Sequence, residues 1–249
     1  MGQHLLQSFV LGNHFYVSRE EAANTPSRLD GVSLAVERSL RARACELMQE
    51  ASILLKLPQN VYSTGTVLLH RFYSRVSVTR HRPELYAKAA LYLGSKVEED
   101  IRKMREFLAV FQNMHQRSKG EPLTYFDVQS AAYADAKAEL TKAERKMLLE
   151  LGFLTHIEHP HKFITSFLNF LSLQKDQQLM QLAWSLMNDS MRTNLCVQLK
   201  PEAIACGCIY MAAQKLQRPM PSAPPWWRVF DVQASDIDFV VAETLALYS

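Results

Sequence analysis

The sequence predicts an all-helical protein made of two similar domains, and three observations carry this prediction. Apolar residues recur at helical spacing through most of the 249 residues, and no stretch keeps the alternating pattern of a half-buried strand. Only eight glycines are present, which disfavours a turn-rich β architecture. A segment beginning at residue 83 recurs at residue 201, which indicates that one helical unit occurs twice.

The first three helices are marked by an apolar stripe and by two prolines. The stripe from Leu40 to Leu54 predicts one helix, because its apolar residues fall on a single helical face. Pro58 and Pro83 can each open a helix, since the N–H that proline lacks is not needed in a first turn. Ser63 and Gly65, in the second helix, are small enough to let a neighbouring helix approach closely.

Two further helical stretches complete the first half of the chain. One is predicted from Ile101 to about Arg117, and a longer one from Thr124 to Leu151. Gly152 suits the C-terminal cap of the longer stretch. Thr141 with Glu144 resembles a capping box, so we expect this stretch to break near residue 141.

Four helices are predicted in the second half. Pro160 and Pro201 each open one, and Asp176 can cap another. Ser235 with Asp238 is expected to cap the last helix. These elements divide the chain into an N-terminal extension over residues 1–32, a first domain over 33–155 and a second domain over 156–249.

The repeat aligns residues 83–87 with residues 201–205 and places Lys96 opposite Gln214. A charged tip at residues 95–100 surrounds Lys96 and has no counterpart in the second copy. We therefore expect the tip to serve function rather than folding. Two unrelated helices that both begin with Pro-Glu are the alternative interpretation.

Composition predicts a soluble intracellular protein. The net charge is +3, without the clustered basic stripe of a dedicated nucleic-acid binder. No apolar run reaches the roughly 18–20 residues that span a bilayer, and no secretory signal opens the chain. The four cysteines form no C-x-x-C pair and are predicted to be buried in a reduced compartment.

Short motifs, in order and at matching separations, resemble the cyclin family across nearly the whole chain. In the first domain they are Leu57-Pro58-Gln59, His70-Arg71-Phe72-Tyr73, Gly94-Ser95-Lys96-Val97-Glu98-Glu99, Lys142-Ala143-Glu144-Arg145 and Leu151-Gly152-Phe153. In the second they are His159-Pro160-His161-Lys162, Met187-Asn188-Asp189-Ser190-Met191-Arg192-Thr193 and Pro201-Glu202-Ala203-Ile204-Ala205-Cys206. The Asn-Asp-Ser-Met-Arg-Thr run and the Arg-Lys-Met-Arg run look most like cyclin L.

The resemblance implies two tandem five-helix cyclin boxes with an extra N-terminal segment. It implies a regulatory subunit, without catalytic residues, cofactor or metal, that binds and activates a cyclin-dependent kinase. The lysine and glutamate with which the family holds the regulatory helix of the kinase match Lys96 and Glu144. Lysine offers only donors and a carboxylate only acceptors, so the pair can hold exposed backbone groups of a partner helix. Neighbouring contacts match Val97, Glu98, Met147 and Leu148.

Similarity to cyclin L implies a PITSLRE-type kinase partner, roles in transcription and pre-mRNA splicing, and a nuclear location. Splicing or transcription factors are further partners that it allows. Arg43 and Leu47 stand where cell-cycle cyclins carry an isoleucine and a tryptophan of a docking patch, so we expect no peptide docking there. Cyclin L proteins carry an arginine/serine-rich tail, whereas this chain ends at Ser249, right after the second box.

Several other functions share some of these sequence features. Other transcriptional cyclins of the K, T or C type share the His-Pro-His and Asn-Asp-Ser motifs. His156, His159 and His161 suggest a metal site, but no cysteine or carboxylate at family spacing completes it. The chain has no G-x-S-x-G motif and no glycine-rich phosphate loop, so an enzyme is not expected.

A nucleic-acid binder of the transcription factor B kind is the other alternative, because those proteins also use two cyclin folds. They add a zinc ribbon, for which this chain lacks the cysteines. A basic cluster does occur here, comprising Arg71, Arg75, Arg80, His81 and Arg82. A solvated helix end and loop explains it equally well.

Overall fold

The computed structural model describes residues 16–248, and every regular element within them is a helix. The described residues form two compact units. The first contains residues 25–157, and the second joins residues 16–24 to residues 158–248. The prediction of an all-helical chain with two domains is confirmed. None of the helices within residues 16–248 combines the length and apolar character needed to span a bilayer.

The bounds of the helices follow the apolar stripes and the prolines. In chain order the α-helices are α1 (Arg19–Ala23), α2 (Pro26–Leu29), α3 (Leu34–Leu54), α4 (Gln59–Tyr73), α5 (Pro83–Val97), α6 (Met104–Ser118), α7 (Ala131–Glu150), α8 (His161–Phe170), α9 (Gln177–Ser190), α10 (Pro201–Lys215) and α11 (Ala234–Leu245). Two short 3-10 helices occupy Asn194–Val197 and Trp226–Phe230.

Helix α5 is the central helix of the first unit and packs against α3, α4 and α7. Small residues along it make this possible, since Ala87, Ala89 and Ala90 are fully buried. At the crossing with α4 the backbones touch, and a Cβ atom on Gly94 would lie 2.9 Å from the Val61 carbonyl oxygen. Of the two small residues predicted to allow a close approach, Gly65 lies at this crossing, packed against the backbone of α5.

A buried ion pair fixes the start of the first unit. Arg41 donates from Nη2 to Glu37 Oε1 at 2.5 Å and to the Tyr73 carbonyl oxygen at 2.6 Å. Thr25 Oγ1 donates to the other oxygen of Glu37 at 2.7 Å. The Glu37 carboxylate is thereby satisfied away from water, and the Arg41 guanidinium joins α3 to the end of α4.

The second unit repeats the arrangement around α10, which packs against α9 and α11. Its close approach is made by Gly207, because a Cβ atom there would lie 2.5 Å from Val240 Cγ1. The segment before the first unit belongs here: the Val17 N–H donates to the Val197 carbonyl at 2.8 Å. The Arg19 guanidinium lies 4.4 Å from the centre of the Phe239 ring.

The internal repeat is visible in the two central helices. Helices α5 and α10 both begin at a proline and both contain 15 residues. Lys96 and Gln214 occupy the same place in the two helices. Because the two helices have the same length and the same starting residue, the interpretation as one repeated unit is favoured over two unrelated helices.

Three predicted helix boundaries are wrong. Helix α7 runs unbroken from Ala131 to Glu150, because Thr141 Oγ1 donates to the Lys137 carbonyl at 2.9 Å and caps nothing. The residues between Thr124 and Ser130 are a loop rather than helix. Helix α11 begins two residues earlier than predicted, with Gln233 at its N-cap position and Ser235 inside the first turn.

Candidate functional site

Lys96 and Glu144 meet at one end of the first unit. Lys96 lies in the last turn of α5 and Glu144 lies midway along α7, and Nζ is 2.5 Å from Oε1. The Lys96 side chain is 38% exposed and the Glu144 side chain only 10%. Nζ also lies 4.5 Å from the centre of the Tyr92 ring. Packing of α5 on α7 therefore holds the ammonium in place while leaving part of it open to a partner.

The apolar residues predicted beside this pair divide into surface and core. Val97 and Leu148 are half-buried and keep surface that a partner can cover. Met147 has no exposed surface at all. The prediction that Met147 contacts a partner needs correction, because the side chain fills the core beneath α7. Its role in this conformation is to support Glu144 and Leu148 from below.

The charged tip after Lys96 also helps to hold the first unit together. The Glu98 carboxylate accepts hydrogen bonds from Asn60 Nδ2 and Thr64 Oγ1, each at 2.6 Å. The Arg102 guanidinium donates to the carbonyl oxygens of Leu55 and Lys56, which follow the end of α3. The expectation that folding does not use the tip is therefore wrong, because Glu98 joins the end of α5 to α4 and Asp100 pairs with Arg102, which lies just after the tip.

Two exposed apolar residues next to the predicted site were missed. Leu149 is 56% exposed and Phe153 is 64% exposed. The Phe153 N–H donates to the Leu148 carbonyl at 2.9 Å, and the Gly152 N–H donates to the Leu149 carbonyl at 3.1 Å. These bonds form a Schellman cap, and a hydrophobic residue after the glycine is usually buried in such a cap. The sequence signal that could have identified Phe153 is an aromatic residue directly after the capping glycine, Gly152.

The basic cluster of the first unit is largely used within that unit. Arg75 donates to the Glu150 carbonyl at 2.7 Å, and Arg71 donates to the His156 carbonyl at 3.2 Å. Arg80 pairs with Asp30 at 2.6 Å. The His81 ring is hydrogen-bonded to Tyr86, and burial lowers the pKa of this imidazole. The basic residues therefore hold loops and helix ends in place within the first unit.

The histidine cluster and the thiols have structural partners. The His161 Nε2 atom lies 2.9 Å from Asn188 Oδ1, and its ring centre lies 5.0 Å from that of Trp184. The His-Pro-His and Asn-Asp-Ser motifs thus meet to join α8 to α9. Within residues 16–248 no three His, Cys, Asp or Glu side chains converge on a metal position. Burial raises the pKa of the Cys208 thiol to about 12, which keeps it in the unreactive protonated form.

The two units match two family models. Residues 13–156 match the model of the cyclin N-terminal domain, and residues 159–243 match that of the Cyclin-T2-like C-terminal domain. The chain belongs to the cyclin family. The prediction of tandem cyclin boxes is thereby confirmed, and Lys96 and Glu144 lie in the first box of this cyclin.

This cyclin is cyclin L-like, as predicted. It is 44% identical over 237 residues to Cyclin-L1-1 of Arabidopsis thaliana and 43% identical over 238 residues to Cyclin-L1 of Homo sapiens. The alignments cover 95% of the chain but 56% and 45% of these relatives, so the chain spans about half the length of the curated proteins it matches.

Solved structures of low identity share the fold of this cyclin. A chain in the crystal structure of the yeast RNA Pol II CTD kinase CTDK-1 complex superposes with a TM-score of 0.78 at 15% identity, covering 94% of this cyclin and 73% of that chain. A chain in the cryoEM structure of the yeast TFIIK (Kin28/Ccl1/Tfb3) complex gives a TM-score of 0.64 at 14% identity, covering 95% and 96%.

Proposed function

We propose that this cyclin is a regulatory subunit that binds and activates a cyclin-dependent kinase through its first box. The observation that carries the proposal is the half-exposed ion pair of Lys96 and Glu144, at the positions where the family holds its kinase. The second box places the neutral Gln214 at the position equivalent to Lys96. The asymmetry between two otherwise matching helices supports the first box as the kinase-binding one.

The pair is suited to hold the backbone of a partner helix. Lys96 Nζ carries three donors, of which Glu144 Oε1 takes one. The ammonium can therefore donate to partner carbonyl groups while the carboxylate accepts from partner N–H groups. Val97, Leu148, Leu149 and Phe153 add apolar surface on the same two helices and the cap that follows α7. We define the kinase-binding surface as these four residues with Lys96 and Glu144.

Activation follows from which conformation of the kinase this surface prefers. An active kinase needs the glutamate of its regulatory helix paired with the lysine of its ATP site. A cyclin that binds the regulatory helix only in that position shifts the kinase population towards the active state. ATP binding and phosphoryl transfer belong to the kinase, and the cyclin contributes none of the groups that perform them.

The finer proposal is a PITSLRE-type kinase that acts in transcription and pre-mRNA splicing in the nucleus. Its support is the similarity to Cyclin-L1 proteins along 95% of the chain. A cyclin of the K, T or C type is the alternative, and the Cyclin-T2-like model matched by the second box is the observation that favours it. Splicing or transcription factors are proposed as further partners.

A binding titration with matched kinases tests both levels of the proposal. The full chain is titrated against the catalytic domains of a PITSLRE-type kinase and of the kinases that serve K-, T- and C-type cyclins. We expect the tightest binding, and stimulated phosphorylation of a peptide substrate, with the PITSLRE-type domain. Preference for another of these kinases would support the alternative subfamily. Failure to bind any of them, combined with salt-sensitive binding to DNA, would instead support the transcription factor B-like function.

A further inference from the structure

A second surface with the character of a docking groove lies on the second box. The groove has a volume of about 610 Å³ and lies between the C-terminal halves of α9, α10 and α11. Its walls are mainly apolar, formed by Leu182, Leu186, Tyr210, Met211, Val241 and Leu245. Leu245 is 53% exposed and Tyr248, at one end, is 56% exposed. A soluble domain rarely leaves such a concave apolar surface open without a use.

The repeat places this groove at the second-box counterpart of the kinase-binding surface. Tyr210 and Gln214 line the groove, and they correspond to Tyr92 and Lys96 of α5. In the first box that end of the helix carries a charged pair, whereas in the second box it faces apolar walls. The equivalent place is therefore built for a partner of different chemistry, held mainly by apolar contacts.

The polar residues of the groove leave one unbalanced charge. The Asp189 carboxylate forms a salt bridge with Arg192 at 3.1 Å and accepts a hydrogen bond from the Tyr248 hydroxyl. Lys215 is exposed at the edge of the groove and makes no ion pair with any residue between 16 and 248. A partner that fills the groove without an acidic group would leave this ammonium unmatched, so the groove favours a carboxylate at that edge.

The helices that form the walls of the groove favour a helical ligand over an extended one. The groove lies between three helices and offers no strand edge among the described residues, so an extended peptide would find no ladder of backbone partners. A helix satisfies its own backbone groups and presents apolar side chains along one face. We propose that this groove docks an amphipathic helix of a partner protein, whose apolar stripe fills it and whose acidic residue pairs with Lys215.

Two other occupants fit less well. Residues 1–15 of this chain include leucines, valine and phenylalanines but contain no aspartate or glutamate, so they cannot supply the carboxylate. A second copy of the chain is the other possibility, and the oligomeric state in solution separates it from a partner protein. The proposed groove is independent of the kinase proposal, because it lies on the box that is not proposed to bind the kinase.

A displayed library of helix-forming peptides tests the proposal while the partner protein is still unidentified. The full chain captures peptides, and the captured peptides are then synthesised individually without selection against any variant. Selected peptides should show apolar residues at helical spacing and enrichment in aspartate or glutamate. Their Kd, measured individually, should rise at least about tenfold for Leu245→Asp, whereas Val229→Asp should leave it unchanged. Val229 is 56% exposed on the same box and lies outside the groove.

A charge swap tests the acidic contact separately. Lys215→Glu should weaken a selected acidic peptide by about tenfold and should improve binding of the same peptide with its acidic residue changed to lysine. Melting curves and far-UV spectra of every variant check that the second box remains folded.

Four results would overturn the proposal. The first is a selection that yields no binding peptide, and the second is equal binding to Leu245→Asp. The third is insensitivity of the selected peptides to Lys215→Glu. The fourth is occupation of the groove by this chain itself, seen as a dimer that Leu245→Asp dissociates or as peptide binding that requires removal of residues 1–15.

Discussion

Lys96 and Glu144 are separated by 48 residues in the sequence, yet the ammonium of one lies 2.5 Å from the carboxylate of the other. The Glu144 side chain is only 10% exposed, so its charge is compensated chiefly by this contact. The pair therefore stabilises the packing of α5 on α7, and we propose that it also contacts the kinase. Variants must separate these two roles.

Lys96→Ala should weaken kinase binding by roughly 1–3 kcal/mol, which is about 5- to 150-fold in Kd. It should also lower the free energy of unfolding by about 1–2 kcal/mol, because a nearly buried carboxylate loses its partner. A binding titration alongside thermal melts measures both.

Matched variants show whether the loss of binding is specific. Lys162→Ala removes another lysine that pairs with a carboxylate, that of Glu158, on the second box, and should bind the kinase normally. Gln214→Ala, at the equivalent place in the second box, should also bind normally. The double variant Lys96→Met with Glu144→Leu should regain stability but not binding. Weakened binding by Gln214→Ala, or normal binding by the double variant, would assign the kinase to another surface.

Phe153 gives a case in which stability and binding should change in opposite directions. Its φ of 58° is in the left-handed region, where a glycine is unstrained and a phenylalanine is not. Phe153→Gly should therefore keep or raise the melting temperature, while loss of an exposed aromatic should weaken kinase binding at least about fivefold. Tyr125→Ala, which removes an aromatic that is 85% exposed in the same box, is the control and should affect neither. Unchanged kinase binding by Phe153→Gly would remove this residue from the kinase-binding surface.

The two close helix crossings should respond differently to an added methyl group. Gly94→Ala would place Cβ against the backbone of α4, which cannot yield, and should cost about 3 kcal/mol or more. Gly207→Ala would press on the side chain of Val240, and should cost about 1–3 kcal/mol. Val240→Ala combined with Gly207→Ala should recover part of that loss, as measured by denaturant unfolding. Equal costs at both glycines, or no recovery, would contradict this account of the crossings.

His161 should make the second box sensitive to mild acid. Burial lowers the pKa of its imidazole, with the Asn188 hydrogen bond acting in the opposite direction. Because the unfolded state then binds the proton more readily than the folded state, stability is present above the unfolded pKa of about 6.5 and falls as the pH drops below it. The melting temperature of the wild type should decrease between about pH 7.5 and 5.5, and His161→Gln should show a smaller decrease. An identical pH dependence in the two proteins would show that another group is responsible.

Local sequence signals predicted most helix starts, because the residues that set them act at short range. Pro83 and Pro201 begin α5 and α10, and Asp176 caps α9 through the Leu179 N–H. The capping box predicted at Thr141 failed because Glu144 is taken by Lys96, which comes from another helix. A short motif cannot reveal that one of its members is engaged by a distant residue.

The sequence indicated the charged residues of the candidate site better than its apolar residues. The family motifs indicated Lys96 and Glu144, but they did not show that Met147 faces the core or that Phe153 faces solvent. Which face of α7 is buried depends on its packing against α5 and on the cap at Gly152. Both are consequences of the assembled box, so helical spacing alone could not assign them.

The second compact unit is discontinuous in sequence, since residues 16–24 precede the first unit and residues 158–248 follow it. During synthesis the first unit is therefore complete before the ribosome has made most of the second. Over that interval Val17 and Arg19 lack the Val197 carbonyl and the Phe239 ring that hold them in the finished protein. Translation thus imposes an order on folding: the first unit can form early, whereas the segment at residues 16–24 must wait for α11.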